Sequence, residues 1–141
     1  MNIFISYAHK DSEIVLPVVA ELDKHYNCWI DKDIVAGSNW RTEITKAISK
    51  SKVVLYFASS NSINSTECNK ELELAFKLNK KVIPIIVEDN INLSKELTEL
   101  QWIYLDDIYK LFNVLKSNPL TVIEVVTIIN LILLIYLSLS S

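Results

Sequence analysis

Apolar residues run along this chain in two rhythms. Short continuous blocks occupy residues 2–6, 27–30, 53–58, 82–87 and 102–105, the pattern of strands buried on both faces of a parallel sheet. Between the blocks the spacing becomes helical. Ile14, Val15, Val18, Val19 and Leu22 form one stripe, with Asp11 and Ser12 as N-caps. Trp40, Ile44, Ala47 and Ile48 form a second behind a Ser38 cap, and Cys68, Leu72 and Ala75 a third behind Asn64 or Ser65. Residues 94–100 read as a short helix or loop, and residues 107–116 as a last helix of the domain. Pro17 is tolerable near the first turn of its helix, and Pro84 within its strand hints at an edge or a bulge. Strands alternating with helices predict an α/β domain with a five-stranded parallel sheet flanked by helices. In such sheets ligands sit beyond the C-terminal strand ends, which directs attention to residues 7–11, 31–37, 59–71 and 88–90.

After Pro119 the pattern changes. Residues 120–139 are almost wholly apolar, with Glu124 the single charge. Their length matches the ~20 residues that span a bilayer core. Lys110 and Lys116 lie upstream and no basic residue follows, so the positive-inside rule predicts a cytoplasmic domain anchored by one C-terminal span. The expected organisation is a domain over residues 1–117 and a hydrophobic tail over 118–141. Glu124, Thr127 and Asn130 recur at helical spacing. That polar stripe leaves two other fates open, a helix packed on the domain and a helix paired with another copy.

Composition narrows the functions. The chain has 141 residues, enough for one domain with a proper core, and a net charge of −3. Clustered basic residues are lacking, so no nucleic-acid partner is expected. Cys28 and Cys68 are far apart without metal-ligand spacing and read as reduced thiols; no metal is expected. The N-terminus lacks the basic and apolar regions of a signal peptide. Gly37 is the sole glycine, which excludes the dinucleotide fingerprint and the phosphate loop. A receiver domain would need a phosphoacceptor Asp at the end of the third strand, where Ala58-Ser59-Ser60 stands instead.

Five segments in collinear order carry a resemblance. Phe4-Ile5-Ser6-Tyr7, Asp31-Lys32-Asp33-Ile34-Val35-Ala36-Gly37 with Trp40 behind it, Val53 to Ser59, Ser65 to Leu72 with its Glu71-Leu72, and Val82-Ile83-Pro84-Ile85 resemble the successive motifs of TIR domains. The resemblance covers about residues 1–116 and implies the flavodoxin-like TIR fold; it also makes Pro84 ordinary for its strand. Lys32 and Ala36 depart from the Arg and Pro of the signalling-adaptor loop. Glu67 stands where many relatives carry a bulky aromatic residue.

Enzymatic members of that family cleave the nicotinamide–ribose bond of NAD. The resemblance therefore implies an NAD nucleosidase with NAD as substrate and no cofactor. The leaving nicotinamide is already cationic in the substrate, so no general acid is required. What needs stabilising is an oxocarbenium-like ribosyl group, and a carboxylate does this. By resemblance that carboxylate is Glu71. Glu67 lies one turn earlier, where a like charge raises a buried partner's pKa. Tyr7 and Trp29 offer ring-stacking surfaces or core packing. Ser6 and Ser59 offer hydroxyls to ribose or phosphate, or cap helices. Asp31 and Asp33 contact ribose or shape the loop. Trp40 is expected to anchor its helix in the core, and His9 to reach the pocket mouth without a catalytic role. Relatives become active by self-association through a loop that here contains Lys32, Asp33, Ala36 and Gly37. These expectations combine into a homo-oligomeric, membrane-tethered immune effector. The competing class is a non-catalytic TIR interaction module in signal transduction.

Overall fold

In the computed structural model, residues 1–31, 37–115 and 122–140 are described. Five strands, β1 (Asn2–Ser6), β2 (Asn27–Trp29), β3 (Val53–Ala58), β4 (Lys81–Ile86) and β5 (Ile103–Tyr104), form one sheet in the order β2-β1-β3-β4-β5. Every pairing is parallel. The register places Ser6 beside Tyr56 and Ala58 beside Ile86, so the C-terminal strand ends share one edge. Seven α-helices are described: α1 (Ser12–Leu22), α2 (Trp40–Lys50), α3 (Ser60–Ile63), α4 (Thr66–Lys77), α5 (Lys95–Thr98), α6 (Leu111–Val114) and α7 (Val122–Leu139). A tight helical turn at His9–Asp11 precedes α1, and another at Leu105–Lys110 leads into α6.

The twofold alternation of side chains along the strands divides the core. Ile3, Ile5, Leu55, Phe57, Ile83 and Ile85 face the layer made by α1 and the 105–114 segment. Phe4, Val54, Tyr56, Ala58, Val82 and Ile86 face α2 and α4, which contribute Ile44, Ala47, Ile48, Cys68, Leu72 and Ala75. Both faces of β3 are buried, as its unbroken apolar run requires. β5 pairs only with Ile85 and Ile86, so the outer edge of β4 is open beside Pro84. A ring without an N–H is tolerated at such an edge.

The structure corrects several local expectations. Asn39, not Ser38, caps α2 by accepting from the Thr42 amide. Trp40, the first residue of α2, is 39% exposed and anchors nothing in the core. Asp11 occupies the α1 cap position without capping it. An additional one-turn helix, α3, fills the link between β3 and α4. The last helix of the domain is a tight turn followed by one short α-turn.

The C-terminal membrane span, and with it the membrane-anchored localisation, is overturned. Among the described residues no helix is long and apolar enough to cross a membrane. α7 has 18 residues. At about 1.5 Å per residue it measures about 27 Å, short of a hydrocarbon core of roughly 30 Å. Ile128, Ile132 and Ile135 point into the core and are 3%, 5% and 5% exposed. They pack with Val18, Leu22, Ile108 and Phe112. The helix has exchanged lipid for the domain on one face. The expected boundary between domain and tail, after residue 117, lies outside the described residues.

Candidate functional site

Because all strands are parallel, β1 and β3 deliver their ends to the same edge from which α1 and α4 depart. Ser65 caps α4 through the Cys68 amide. The helix then turns Cys68, Leu72 and Ala75 onto the sheet, and Glu71 between them is carried inward. Glu71 is 8% exposed and Ser6, ending β1, is fully buried. The Ser6 hydroxyl donates to Glu71 Oε2 at 2.5 Å. Burial pushes the Glu71 carboxyl up to about 7, with smaller contributions in the same direction from Asp31 and Glu67; the Ser6 bond and His9 oppose them.

Glu71 lies in the wall of an open cavity of about 740 Å³. Tyr7, His9, Asp31, Trp40, Asn61 and Glu67 also line it. The His9 imidazole bonds Asp31 through Nε2 and Oδ2. Asp31 Oδ1 is buried without a hydrogen-bond partner. The Tyr7 ring lies 5.7 Å from the His9 ring, inclined by 39°. Beneath the rim, the Asp11 carboxylate accepts from Ser59 Oγ at 2.5 Å and Asn61 Nδ2 at 2.8 Å. This tie explains why Asp11 does not cap α1, and it fixes the β3–α3 turn. Beyond Trp40 and Glu71 a second cleft, about 680 Å³, adds Arg41, Lys70 and Lys77. A carboxylate held inward thus meets two aromatic walls and a basic approach.

The predicted residues separate into groups. Glu71, Tyr7 and Asp31 share the cavity wall, and Ser6 holds Glu71 from behind. Ser59 is buried, closes a capping box with Ser62 and donates to Asp11, so its hydroxyl is committed to the fold. Trp29 stacks on Phe4, centroids 5.0 Å apart and 16° from parallel, and packs on the sheet instead of lining the cavity. Gly37 has φ +85°, a value that side chains rarely adopt. Lys32, Asp33 and Ala36 lie outside the described residues. His9, expected at the pocket mouth, lines the cavity, whereas Trp40 was expected in the core and Asn61 is not among the expected site residues. His9 and Asn61 belong to the strand-end segments and Trp40 opens the helix after one of them, but only the third dimension shows which residues turn inward.

A family model described as TIR domain matches residues 3–113. Among solved structures, the chain is similar to the TIR domain of the Toll-related receptor TRR-2 from Hydra magnipapillata. That match has a TM-score of 0.69 and 21% identity, covering 81% of this chain and 94% of the other. It is similar to the TIR domains of the activated Roq1 resistosome that recognises the effector XopQ, with a TM-score of 0.54 and 23% identity, covering 62% of this chain and 57% of the other. It is also similar to the CMP N-glycosidase BcmB of Clostridium botulinum, with a TM-score of 0.56 and 15% identity, covering 82% of this chain and 98% of the other. No curated protein matches the sequence. At these identities the structural likenesses speak for the fold, and the family model speaks for the lineage: the chain belongs to the TIR domain family.

Proposed function

We propose that this TIR domain is an NAD nucleosidase that breaks the nicotinamide–ribose bond, and that Glu71 is its catalytic carboxylate. The observation that carries the reading is the buried Glu71, held by Ser6, in the wall of a cavity that Tyr7 and Trp40 also line and that adjoins a cleft with Arg41 and Lys70. In NAD the pyridinium nitrogen already carries positive charge. Cleavage returns the bonding electrons to that nitrogen and leaves neutral nicotinamide without a proton donor. Positive charge moves to the ribose, where the ionised Glu71 lowers the barrier by electrostatic attraction. Water then adds to the anomeric carbon and loses a proton, giving ADP-ribose; attack by an adenine nitrogen instead gives a cyclic product. Tyr7 and Trp40 offer faces to the bases, and Arg41 and Lys70 offer charge to the diphosphate. The substrate's own positive charge draws Glu71 toward its ionised form on binding. Self-association and an immune or cell-death setting follow from the family resemblance.

The test is chromatographic. The full chain is incubated with NAD, and in parallel with CMP because the same fold serves a CMP N-glycosidase. Free nicotinamide from NAD supports the reading. Cytosine from CMP with intact NAD would redirect it to another N-ribosyl bond. If the protein associates with itself or another TIR domain but leaves both substrates whole, even when crowded on beads, the interaction-module reading holds instead.

A further inference from the structure

α7 lies beyond the matched region, which ends at residue 113. It is apolar on both sides, and the sides divide along a heptad. With Ile123, Asn130 and Leu137 at the a positions and Val126 and Leu133 at d, every buried residue of α7 falls at c or f: Ile128, Ile132 and Ile135. The outward apolar residues fall at a, d, e and g, apart from Leu139 at the end of the helix. Ile123, Val126, Leu133, Leu134 and Leu137 are between 49% and 78% exposed. Ile129 and Tyr136 flank them at g, 40% and 41% exposed. These fractions leave on the order of 800 Å² of apolar surface, the amount each partner of a standard interface buries. An exposed apolar patch on an ordinary monomer is smaller.

We infer that this face of α7 pairs with the same face of a second copy, parallel and in register, as a two-stranded coiled coil. Three observations select a second copy. The apolar face follows the seam spacing of a coiled coil, distinct from the stripe already used by the domain. Asn130 is exposed at the middle of the seam, and a single a-position Asn sets register by bonding its own counterpart across the pair. Thr127 at e already donates to the Ile123 carbonyl at 2.8 Å and brings no unmet polar group into the seam. A bilayer would place Asn130 at the centre of the lipid-facing side with nothing to bond, and no Lys or Arg lies within α7 to reach the headgroups. The pairing is independent of the NAD reading, because it concerns association alone. It would bring two domains side by side through an element outside the family's shared fold.

The experiment is sedimentation velocity on the full chain over a concentration series, beside Leu133→Glu with Leu137→Glu. Both positions are exposed, so at concentrations where both proteins are monomeric the variant should keep the wild-type unfolding midpoint, while its dimerisation constant falls by at least about tenfold. Oxidation of Asn130→Cys should give a cross-linked dimer that wild type, with Cys28 half-buried and Cys68 buried, does not give. If the purified chain aggregates, the same cross-link is read in intact expressing cells. A monomer throughout, or a dimer indifferent to the two glutamates, overturns the inference. A dimer without the Asn130→Cys cross-link overturns the in-register seam. Flotation of a monomeric chain with phosphatidylcholine–phosphatidylglycerol vesicles, lost in the double variant, would assign the face to lipid and also overturn it.

Discussion

Glu71 is an ionisable group placed where ionisation is unfavourable. Its carboxyl stands at about 7 against an ordinary 4.5, chiefly through burial. Between those two values the unfolded chain releases its proton and the folded chain keeps it. The fold therefore loses stability as pH rises from 4.5 to 7, and the loss is complete above 7. The shift corresponds to roughly 3 kcal/mol at most. Glu71→Gln should accordingly raise the unfolding midpoint at pH 8 and change it little at pH 5. A midpoint that falls at pH 8 would show that the carboxylate stabilises the fold, against this account. The proposed catalysis has the opposite demand, since the ribosyl cation would need the ionised form. The kcat/KM for NAD should rise with pH through about 7, the value set by Glu71 in the free protein. Ser6 donates to that carboxylate and opposes its raised pKa. Ser6→Ala should move the rising limb to higher pH; an unmoved limb would detach Ser6 from Glu71. Trp40→Ala removes a half-exposed ring at the junction of the two clefts and should raise KM more than it lowers kcat.

Elements were legible in the sequence where burial is symmetric. The continuous apolar runs located all five strands; for β1, β3 and β4 the reason is coverage on both faces, which leaves few polar positions to confuse the pattern, whereas the edge strands β2 and β5 are short and partly exposed. Helix starts were less legible, since Ser38 and Asn39 are adjacent and equally fit to cap; only the Asn39 bond to Thr42 decides. Trp40 has the spacing of an inner residue but opens its helix at the rim, where the sheet no longer covers it. Glu71 was identifiable by resemblance. Its bond to Ser6 joins residues 65 positions apart and is invisible to any local pattern. α7 misled for a physical reason: hydropathy counts apolar residues without telling protein from lipid as their solvent. Its inner stripe makes a measurable claim. Ile132→Ala should destabilise the chain by about 2–5 kcal/mol, whereas Leu134→Ala on the outer face should stay within about 0.5 kcal/mol when both are measured at concentrations where the chain is monomeric. Equal, small effects in chemical denaturation would mean that α7 is not part of the core.

At the scale of the whole molecule, the sheet separates two apolar layers, and α7 joins the one that α1 covers. Ile128, Ile132 and Ile135 belong to the same cluster as Ile3, Leu55 and Phe57. Removing the tail would strip that cover from the layer, so the proposed activity is to be tested on the full chain. The site opens at one edge of the sheet, and by resemblance a loop that includes Gly37 would serve contacts between copies. Nicotinamide release per molecule should therefore increase with protein concentration, as expected when copies complete one another's sites. Release strictly proportional to concentration would mark each domain as self-sufficient.

The central claim is that Glu71 cleaves NAD, and nicotinamide release by the full chain beside Glu71→Gln at pH 8 tests it most directly. The account predicts release by the wild type and loss of about a hundredfold or more in the variant, with the variant at least as resistant to heat. A variant that is folded and as active as the wild type would contradict it.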